Sequence, residues 1–135
     1  MNKPNNVLKE WLQISYEDYD TAKFLFDNKK PKPLEIICYH CQQSAEKALK
    51  GFLCANEIDP PKTHDVGHLC VLCAKYDKEF KKLAEKCEDI ATYSAKTRYP
   101  NRVEIEEYDA KSALQIALEI HNYVIKRLKN MGITL

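Results

Sequence analysis

The chain has 135 residues, which is enough for one domain and too few for two. Its 44% hydrophobic content can supply a core, and its 3 glycines are too few for the many tight turns of a β-sandwich or barrel. The 21 basic and 20 acidic residues nearly cancel, which excludes a strongly basic nucleic-acid clamp but leaves room for a local basic groove. We therefore expect a single helical domain over residues 1–135.

No apolar run in the sequence is long enough to cross a bilayer. The N-terminal residues Met1 to Asn6 also lack the apolar segment of a signal peptide. We therefore expect a cytoplasmic protein that contacts no membrane. Because thiols stay reduced in the cytoplasm, no disulfide bond is expected among the cysteines. The sequence contains six of them: Cys38, Cys41, Cys54, Cys70, Cys73 and Cys87.

The first part of the chain predicts two long helices. Apolar residues recur at steps of three and four from about residue 7 to 28, which is the spacing of one helical face. Pro31 and Pro33 then break the pattern, because proline lacks the amide N–H that a continuing helix needs. A second helix is predicted over about residues 34–56. Its apolar stripe contains small residues that would let a neighbouring helix approach closely.

The second part predicts one short helix and two long ones. The short helix covers about residues 65–75, after a loop with two adjacent prolines. The next helix covers about residues 79–97 and ends before Pro100, since the residue before a proline is pushed out of helical geometry. The last covers about residues 105–130. These segments predict an all-α fold, an antiparallel up-and-down bundle of four long helices plus one short helix.

Two Cys-x-x-Cys units are candidates for a metal site. Cys38 with Cys41, and Cys70 with Cys73, together offer the four thiolates of a structural zinc site. Both units fall inside helical patterns, however, whereas zinc ribbons carry such pairs on tight turns near glycine. We therefore expect these cysteines to be small buried apolar residues, and the protein to hold no metal or cofactor.

A polar stripe on the second predicted helix is a stronger candidate. His40, Gln43, Lys47 and Lys50 follow steps of three, four and three, which places them on one helical face at about 100° per residue. An imidazole, an amide and two ammonium groups in a row suit phosphates or base edges. The alternative is that both lysines are solvated and pair with Glu46 or another nearby acid. The spacing leaves both interpretations open.

Two further segments carry candidate ligands. His64 lies between Thr63 and Asp65, directly before the short helix, and suits a proton carrier or a phosphate ligand. Thr63 or Asp65 is also expected to cap that helix. Arg98 offers a guanidinium fork for phosphate, and Tyr99 offers a ring that can stack on a base. The alternative for Arg98 is that it bonds the last carbonyls of its own helix.

Three motifs in combination point to a known family. They are the run from His40 to Gly51, the segment Thr63-His64-Asp65-Val66, and Arg98-Tyr99-Pro100. With them the sequence resembles the HEPN domain family (higher eukaryotes and prokaryotes nucleotide-binding) over nearly its whole length. The resemblance implies a helical up-and-down bundle that dimerises and has a nucleotide- or RNA-related role. It also implies a frequent partner, a minimal nucleotidyltransferase encoded alongside.

The sequence departs from one HEPN pattern. Many HEPN proteins are metal-independent RNases of toxin–antitoxin and defence systems, with an active-site Arg and a His separated by four to six intervening residues. The windows after Arg98 and Arg102 contain residues 103–105 and 107–109, and neither contains a His. We therefore expect no catalytic residue of this kind. The distant His121 lies in the apolar stripe of the last predicted helix, where a satisfied core or interface histidine is expected.

The sequence as a whole predicts a binding module that does not catalyse a reaction by itself. Its predicted nucleotide-binding residues are His40, Gln43, Lys47, His64, Arg98 and Tyr99. The HEPN resemblance implies a homodimer that is the partner subunit of a minimal nucleotidyltransferase in a toxin–antitoxin-type system. Two alternatives stay open. One is an atypical metal-independent RNase with His40 or His64 as general base, and the other is a helical protein-interaction module without a ligand.

Overall fold

The structure is a computed structural model that describes residues 3–95 and 104–135. These residues form five α-helices and one 3-10 segment, and no β-strand occurs among them. In chain order the elements are α1 (Lys3–Asn28), α2 (Leu34–Ala55), α3 (Val66–Ala74), the 3-10 segment (Lys78–Leu83), α4 (Ala84–Ala95) and α5 (Glu107–Asn130). The predicted all-α, antiparallel up-and-down bundle is therefore confirmed. None of the described helices combines the length and the apolarity needed to span a membrane.

Helix α2 lies at the centre of the bundle and packs against each of the other four helices. Its buried side includes Ala45, Ala48 and Gly51, whose small size lets α1 come close. A Cβ atom added to Gly51 would lie only 3.2 Å from the Cβ of Trp11 on α1, so a larger residue there would push the two helices apart. The close approach predicted from these small residues is confirmed. This close approach places the Trp11 ring beside Lys47 and Lys50 of α2.

The fourth predicted helix differs from the observed structure in its first turns. Residues 78–83 form a 3-10 segment, and the α-helix that follows has 12 residues. Asp77 starts the segment, because its Oδ1 accepts a hydrogen bond at 3.1 Å from the backbone N–H two residues later. Since a 3-10 helix repeats every three residues, Phe80 and Leu83 lie on the same side, and both are buried. The predicted helical residues 96–97 lie outside the described part of the chain.

Two helix ends also differ from the prediction. Helix α1 begins at Lys3, ahead of the predicted start near residue 7. Helix α5 begins at Glu107 and not at residue 105, because Glu106 is its N-cap. The backbone N–H of Glu106 donates a hydrogen bond to Oδ2 of Asp109 at 3.1 Å, which is one half of a capping box. The start of α5 is therefore set by side-chain bonds that apolar spacing does not report.

The four cysteines of the Cys-x-x-Cys units are core residues, as predicted. Cys38, Cys41 and Cys73 are 0% exposed, and Cys70 is 2% exposed. The Sγ atoms of Cys70 and Cys73 donate hydrogen bonds to backbone carbonyls at 3.3 and 3.5 Å. All six cysteines are free thiols. Within residues 3–95 and 104–135, no three His, Cys, Asp or Glu side chains are grouped as metal ligands would be.

Candidate functional site

The polar stripe predicted on the second helix lies along the outer side of α2. We refer to it as the α2 face, and its residues are His40, Gln43, Lys47 and Lys50. The side chains of His40 and Lys47 are 28% and 20% exposed, whereas that of Lys50 is only 7% exposed. Both lysines pair with Glu46, which is the pairing that the alternative interpretation named. They are not simply solvated, however, because Glu46 itself is fully buried.

Glu46 connects both lysines of this face to a residue from another segment. Its Oε2 accepts hydrogen bonds from Nζ of Lys50 at 3.0 Å and from Nζ of Lys47 at 3.3 Å. Nδ1 of His64 lies 3.1 Å from its Oε1. We refer to these four residues as the Glu46 cluster. Two ammonium groups around one carboxylate leave one excess positive charge.

The ionisation of Glu46 depends on its cationic neighbours. Burial by itself would raise the pKa of this carboxyl, because burial penalises the charged form. The hydrogen bond from Lys50, the charge of Lys47 and the hydrogen bond with His64 outweigh that effect and hold the pKa of Glu46 below its usual value. The carboxylate is therefore ionised at neutral pH. Since an unpaired charge at this depth costs several kcal/mol, the members of the cluster depend on one another.

The loop before α3 brings His64 to α2. The backbone carbonyl of His64 accepts a hydrogen bond from Nε2 of Gln42 at 2.8 Å. The next residue, Asp65, is the N-cap of α3 and accepts from the backbone N–H of His68 at 3.1 Å, which confirms the predicted cap. Held in this way, the His64 side chain reaches Glu46 while remaining 68% exposed. Its Nε2 forms no hydrogen bond within the described residues.

His40 is held by a different carboxylate. Its Nδ1 lies 3.0 Å from Oδ1 of Asp18 on α1, and its ring contacts the edge of the half-exposed Tyr39 ring at a centroid distance of 5.5 Å. One turn further along α2, Oε1 of Gln43 accepts a hydrogen bond from Nζ of Lys47 at 3.2 Å. The His40–Asp18 pair and the Glu46 cluster therefore lie along one side of α2, with Gln43 between them in sequence and bonded to the cluster.

Sequence reasoning missed two residues of α1 that border this surface. The Trp11 ring centroid lies 5.9 Å from Nζ of Lys47 and 5.9 Å from Nζ of Lys50, within the range of cation–π attraction. Asp18 follows Trp11 by seven residues, and this spacing places both on one side of α1. This seven-residue spacing is the sequence signal that could have predicted a shared face for Trp11 and Asp18. Sequence reasoning had also treated Glu46 only as a possible surface pair, since its burial cannot be inferred from the stripe.

The structure places four of the six predicted ligands along this surface. They are His40, Gln43, Lys47 and His64. The other two, Arg98 and Tyr99, lie outside the described residues, so their convergence on this surface stays a prediction. Excess positive charge next to indole and phenol rings is suited to a ligand that combines a phosphate with a flat ring system.

A comparison with known protein families identifies the family of the chain. The family model for the HEPN domain matches residues 8–128. The chain belongs to the HEPN domain family. The match runs from α1 to the end of α5 and includes the α2 face and His64. HEPN membership makes the chain a helical module of a nucleotide- or RNA-related kind.

A solved structure shares the fold of this HEPN domain. It is the crystal structure of an archaeal HEPN homologue, with a TM-score of 0.67 and 21% sequence identity. The alignment covers 90% of this chain and 97% of that one. No functionally curated protein gives a significant sequence match. The structural likeness therefore supports the bundle architecture, and the site has to be argued from this chain's own residues.

Proposed function

We propose that this HEPN domain binds a nucleotide or a strand of RNA on the α2 face. The observation that carries the proposal is the Glu46 cluster, which holds excess positive charge at the surface in a fixed arrangement. Lys47 has the exposure to give a phosphate a charge-assisted hydrogen bond, whereas Lys50 is nearly buried and mainly neutralises Glu46. Because hydrogen bonds to Glu46 and Gln43 hold the Lys47 ammonium group in place, a ligand would bind a cation that is already ordered.

The remaining predicted ligands would complete the binding surface. His40 and His64 each have Nδ1 held by a carboxylate, which fixes the ring plane and leaves Nε2 to contact the ligand. Gln43 sits between them and can reach a base edge or a ribose hydroxyl. Arg98 would hold a second phosphate oxygen as a bidentate fork, and Tyr99 would stack on the base.

We further infer that the domain acts as a homodimer and as the partner subunit of a minimal nucleotidyltransferase in a toxin–antitoxin-type system. Membership of the HEPN family supports this role, and the missing Arg-to-His spacing supports a subunit that does not catalyse by itself. Co-expression with the nucleotidyltransferase encoded next to this gene should yield a stable complex on size-exclusion chromatography. A gene with no such neighbour, or two proteins that elute separately, would count against the partnership.

Thermal-shift titration tests the binding proposal. A ligand that binds only the folded state raises the melting temperature by mass action, so short RNA and nucleotides should raise it for wild type. The rise should shrink as salt increases, because the contacts are ionic. Lys47→Gln and Arg98→Ala should remove most of the rise, whereas Lys75→Gln, at an exposed position on the C-terminal side of α3, should leave it unchanged. An unchanged rise in both ligand variants would refute the proposal.

A second candidate, an atypical metal-independent RNase, has one observation in its favour. His40 is held by Asp18 and His64 by Glu46, and a carboxylate behind an imidazole is an arrangement that orients a general base. Such a base would take the proton of a ribose 2′-hydroxyl. Incubation of RNA with the protein and a chelator separates the two candidates. Cleavage that is lost in His64→Gln or His40→Gln but kept in His68→Gln would establish the RNase, and intact RNA would exclude it.

A further inference from the structure

A cleft lined by both polar and apolar side chains lies between α1 and α5. Its volume is about 370 Å³, and its polar walls are Lys9 and Gln13 from α1 and His121 and Lys129 from α5. Leu12 and Ile125 supply apolar surface between them. We refer to it as the His121 cleft.

The hydrogen bonds of Ser15 fix the tautomer of His121. The Ser15 hydroxyl donates its proton to the backbone carbonyl of Ser44 at 2.8 Å, because a carbonyl can only accept. Ser15 Oγ lies 2.9 Å from Nδ1 of His121 and has no second proton to give. The His121 Nδ1 must therefore carry the hydrogen and donate it to Ser15. In the neutral ring, Nε2 is then a bare lone pair that accepts hydrogen bonds.

The Nε2 atom of His121 is left for a ligand. The residue is 5% exposed, and its Nε2 has no hydrogen-bond partner within residues 3–95 and 104–135. This nitrogen is nevertheless not fully buried. Since His121 also lines the cleft, its free nitrogen is accessible from that side. The sequence predicted a satisfied core histidine. The structure satisfies one nitrogen and leaves the other open.

The charged groups around His121 favour an anion. Lys9 on α1 and Lys129 on α5 are exposed, and neither pairs with an acid in the described part of the chain. The Tyr16 ring of α1 packs against the imidazole at a centroid distance of 5.7 Å, and Ser15, which contacts the imidazole, also bonds the uncharged Ser44 of α2. Among the described residues no Asp or Glu side chain lines the cleft. Leu135, at the C-terminus of the chain, also lines it, and its terminal carboxylate forms an ion pair with neither lysine. Two unpaired ammonium groups and one acceptor nitrogen therefore dominate the chemistry of the site.

We propose that the His121 cleft binds a phosphate monoester, with Lys9 and Lys129 holding its oxygens and Nε2 of His121 sharing its acidic proton. The second ionisation of a phosphate monoester has a pKa near 6, so this anion still carries a proton to donate close to neutral pH. Carboxylates and sulfate are already fully ionised there and present only lone pairs to Nε2. Burial lowers the pKa of His121, which keeps the ring neutral in the free protein and able to accept that proton.

Titration of the protein by NMR, with the histidine ring nitrogens labelled, tests this assignment. In free protein at pH 7 the His121 signals should show hydrogen on Nδ1 and none on Nε2. Inorganic phosphate and adenosine 5′-monophosphate should both move these signals and raise the pKa of His121 by about one unit. Adenosine should not. Equal shifts from adenosine and its monophosphate would show recognition of the base, and would overturn the proposal.

Charge variants complete the test without touching the buried network. Lys9→Gln combined with Lys129→Gln should weaken phosphate binding by about tenfold or more, because each ammonium contributes a charge-assisted hydrogen bond. Lys126→Gln, at an exposed position of α5 outside the cleft lining, is the matched control and should bind as wild type does. At pH 7.5, sulfate that binds as tightly as phosphate would refute proton sharing. His121 signals that do not respond to phosphate would refute the site.

Discussion

The Glu46 cluster and the His121 cleft place a titratable group inside the same bundle in opposite ways. Glu46 stays charged, because two lysines and a histidine surround it with hydrogen bonds. His121 is buried without any charged hydrogen-bond partner, and burial keeps it neutral by lowering the pKa of its imidazole. The comparison teaches that a buried charged group is stable only beside oppositely charged hydrogen-bond partners. A buried imidazole that stays neutral needs only one hydrogen bond.

The strongest way to break this comparison is to remove the carboxylate. Glu46→Ala leaves the nearly buried Lys50 without its partner, and we expect a loss of about 3 kcal/mol in the free energy of unfolding, measured with urea. Asp27→Ala removes the acid of the exposed Lys23–Asp27 pair and should cost less than about 0.5 kcal/mol. Similar small losses in both variants would show that Glu46 is not the centre of an interdependent unit.

The hydrogen bonds that join Ser15 to Ser44 and His121 should give the next largest loss of stability when they are removed. Ser15→Ala removes the acceptor of His121 Nδ1–H and a second donor to the helical Ser44 carbonyl, which leaves the buried Nδ1–H of His121 without a partner. We expect a loss of about 2 kcal/mol in the urea-unfolding free energy. Thr92→Ala also removes a hydroxyl bonded to a backbone carbonyl, but at an exposed position, and should change stability by less than about 0.5 kcal/mol. An equal effect at both positions would contradict the account.

The two regions should also lose stability in different pH ranges. The pKa of folded His121 lies below the unfolded value of 6.5, so the unfolded state binds its proton first and stability falls as pH drops below 6.5. The pKa of folded Glu46 lies below 4.5, so its contribution is present above that value and lost at lower pH. The free energy of unfolding should be measured from pH 7 to 3. His121→Gln should reduce its dependence on pH in the upper part of this range, and Glu46→Gln should reduce it in the lower part. Unchanged slopes would contradict the pKa directions.

The smallest expected effect is at the exposed edge of the Glu46 cluster. The His64 side chain is 68% exposed, so solvent screens its bond to Glu46, and His64→Gln should cost no more than about 1 kcal/mol in the free energy of unfolding. His68→Gln, where only the backbone N–H of His68 bonds the Asp65 cap, is the matched control and should cost less. A large loss in His64→Gln would mean that His64 is a structural element of the loop. It would weaken its assignment as a ligand.

The sequence predicted the helices well and the site only in part. Apolar spacing and the proline breaks located the helices, and the steps among His40, Gln43 and Lys47 correctly placed those residues on one face. Spacing within one helix cannot report contacts between helices. The burial of Glu46 and the contact of Trp11 with the lysines both depend on the α1–α2 crossing, so they became visible only in the folded chain.

His121 shows a second limit of sequence reasoning. Its place in an apolar stripe correctly predicted a buried histidine. The bare lone pair on Nε2 follows from the direction of one hydrogen bond, because Ser15 gives its proton to Ser44. A residue pattern records which side chains are buried together, but it does not record which atom donates to which.

The most direct test of the central claim is to map where RNA binds. Isotope-labelled protein would be titrated with a short single-stranded RNA that has a 5′-hydroxyl, since a phosphodiester strand carries no monoester to occupy the His121 cleft. The account predicts amide shift changes at residues 40–50 and at His64, that fade as salt rises and disappear in Lys47→Gln. Shifts confined to other parts of the bundle, or no shifts at all, would contradict the assignment of the α2 face as the nucleotide-binding surface.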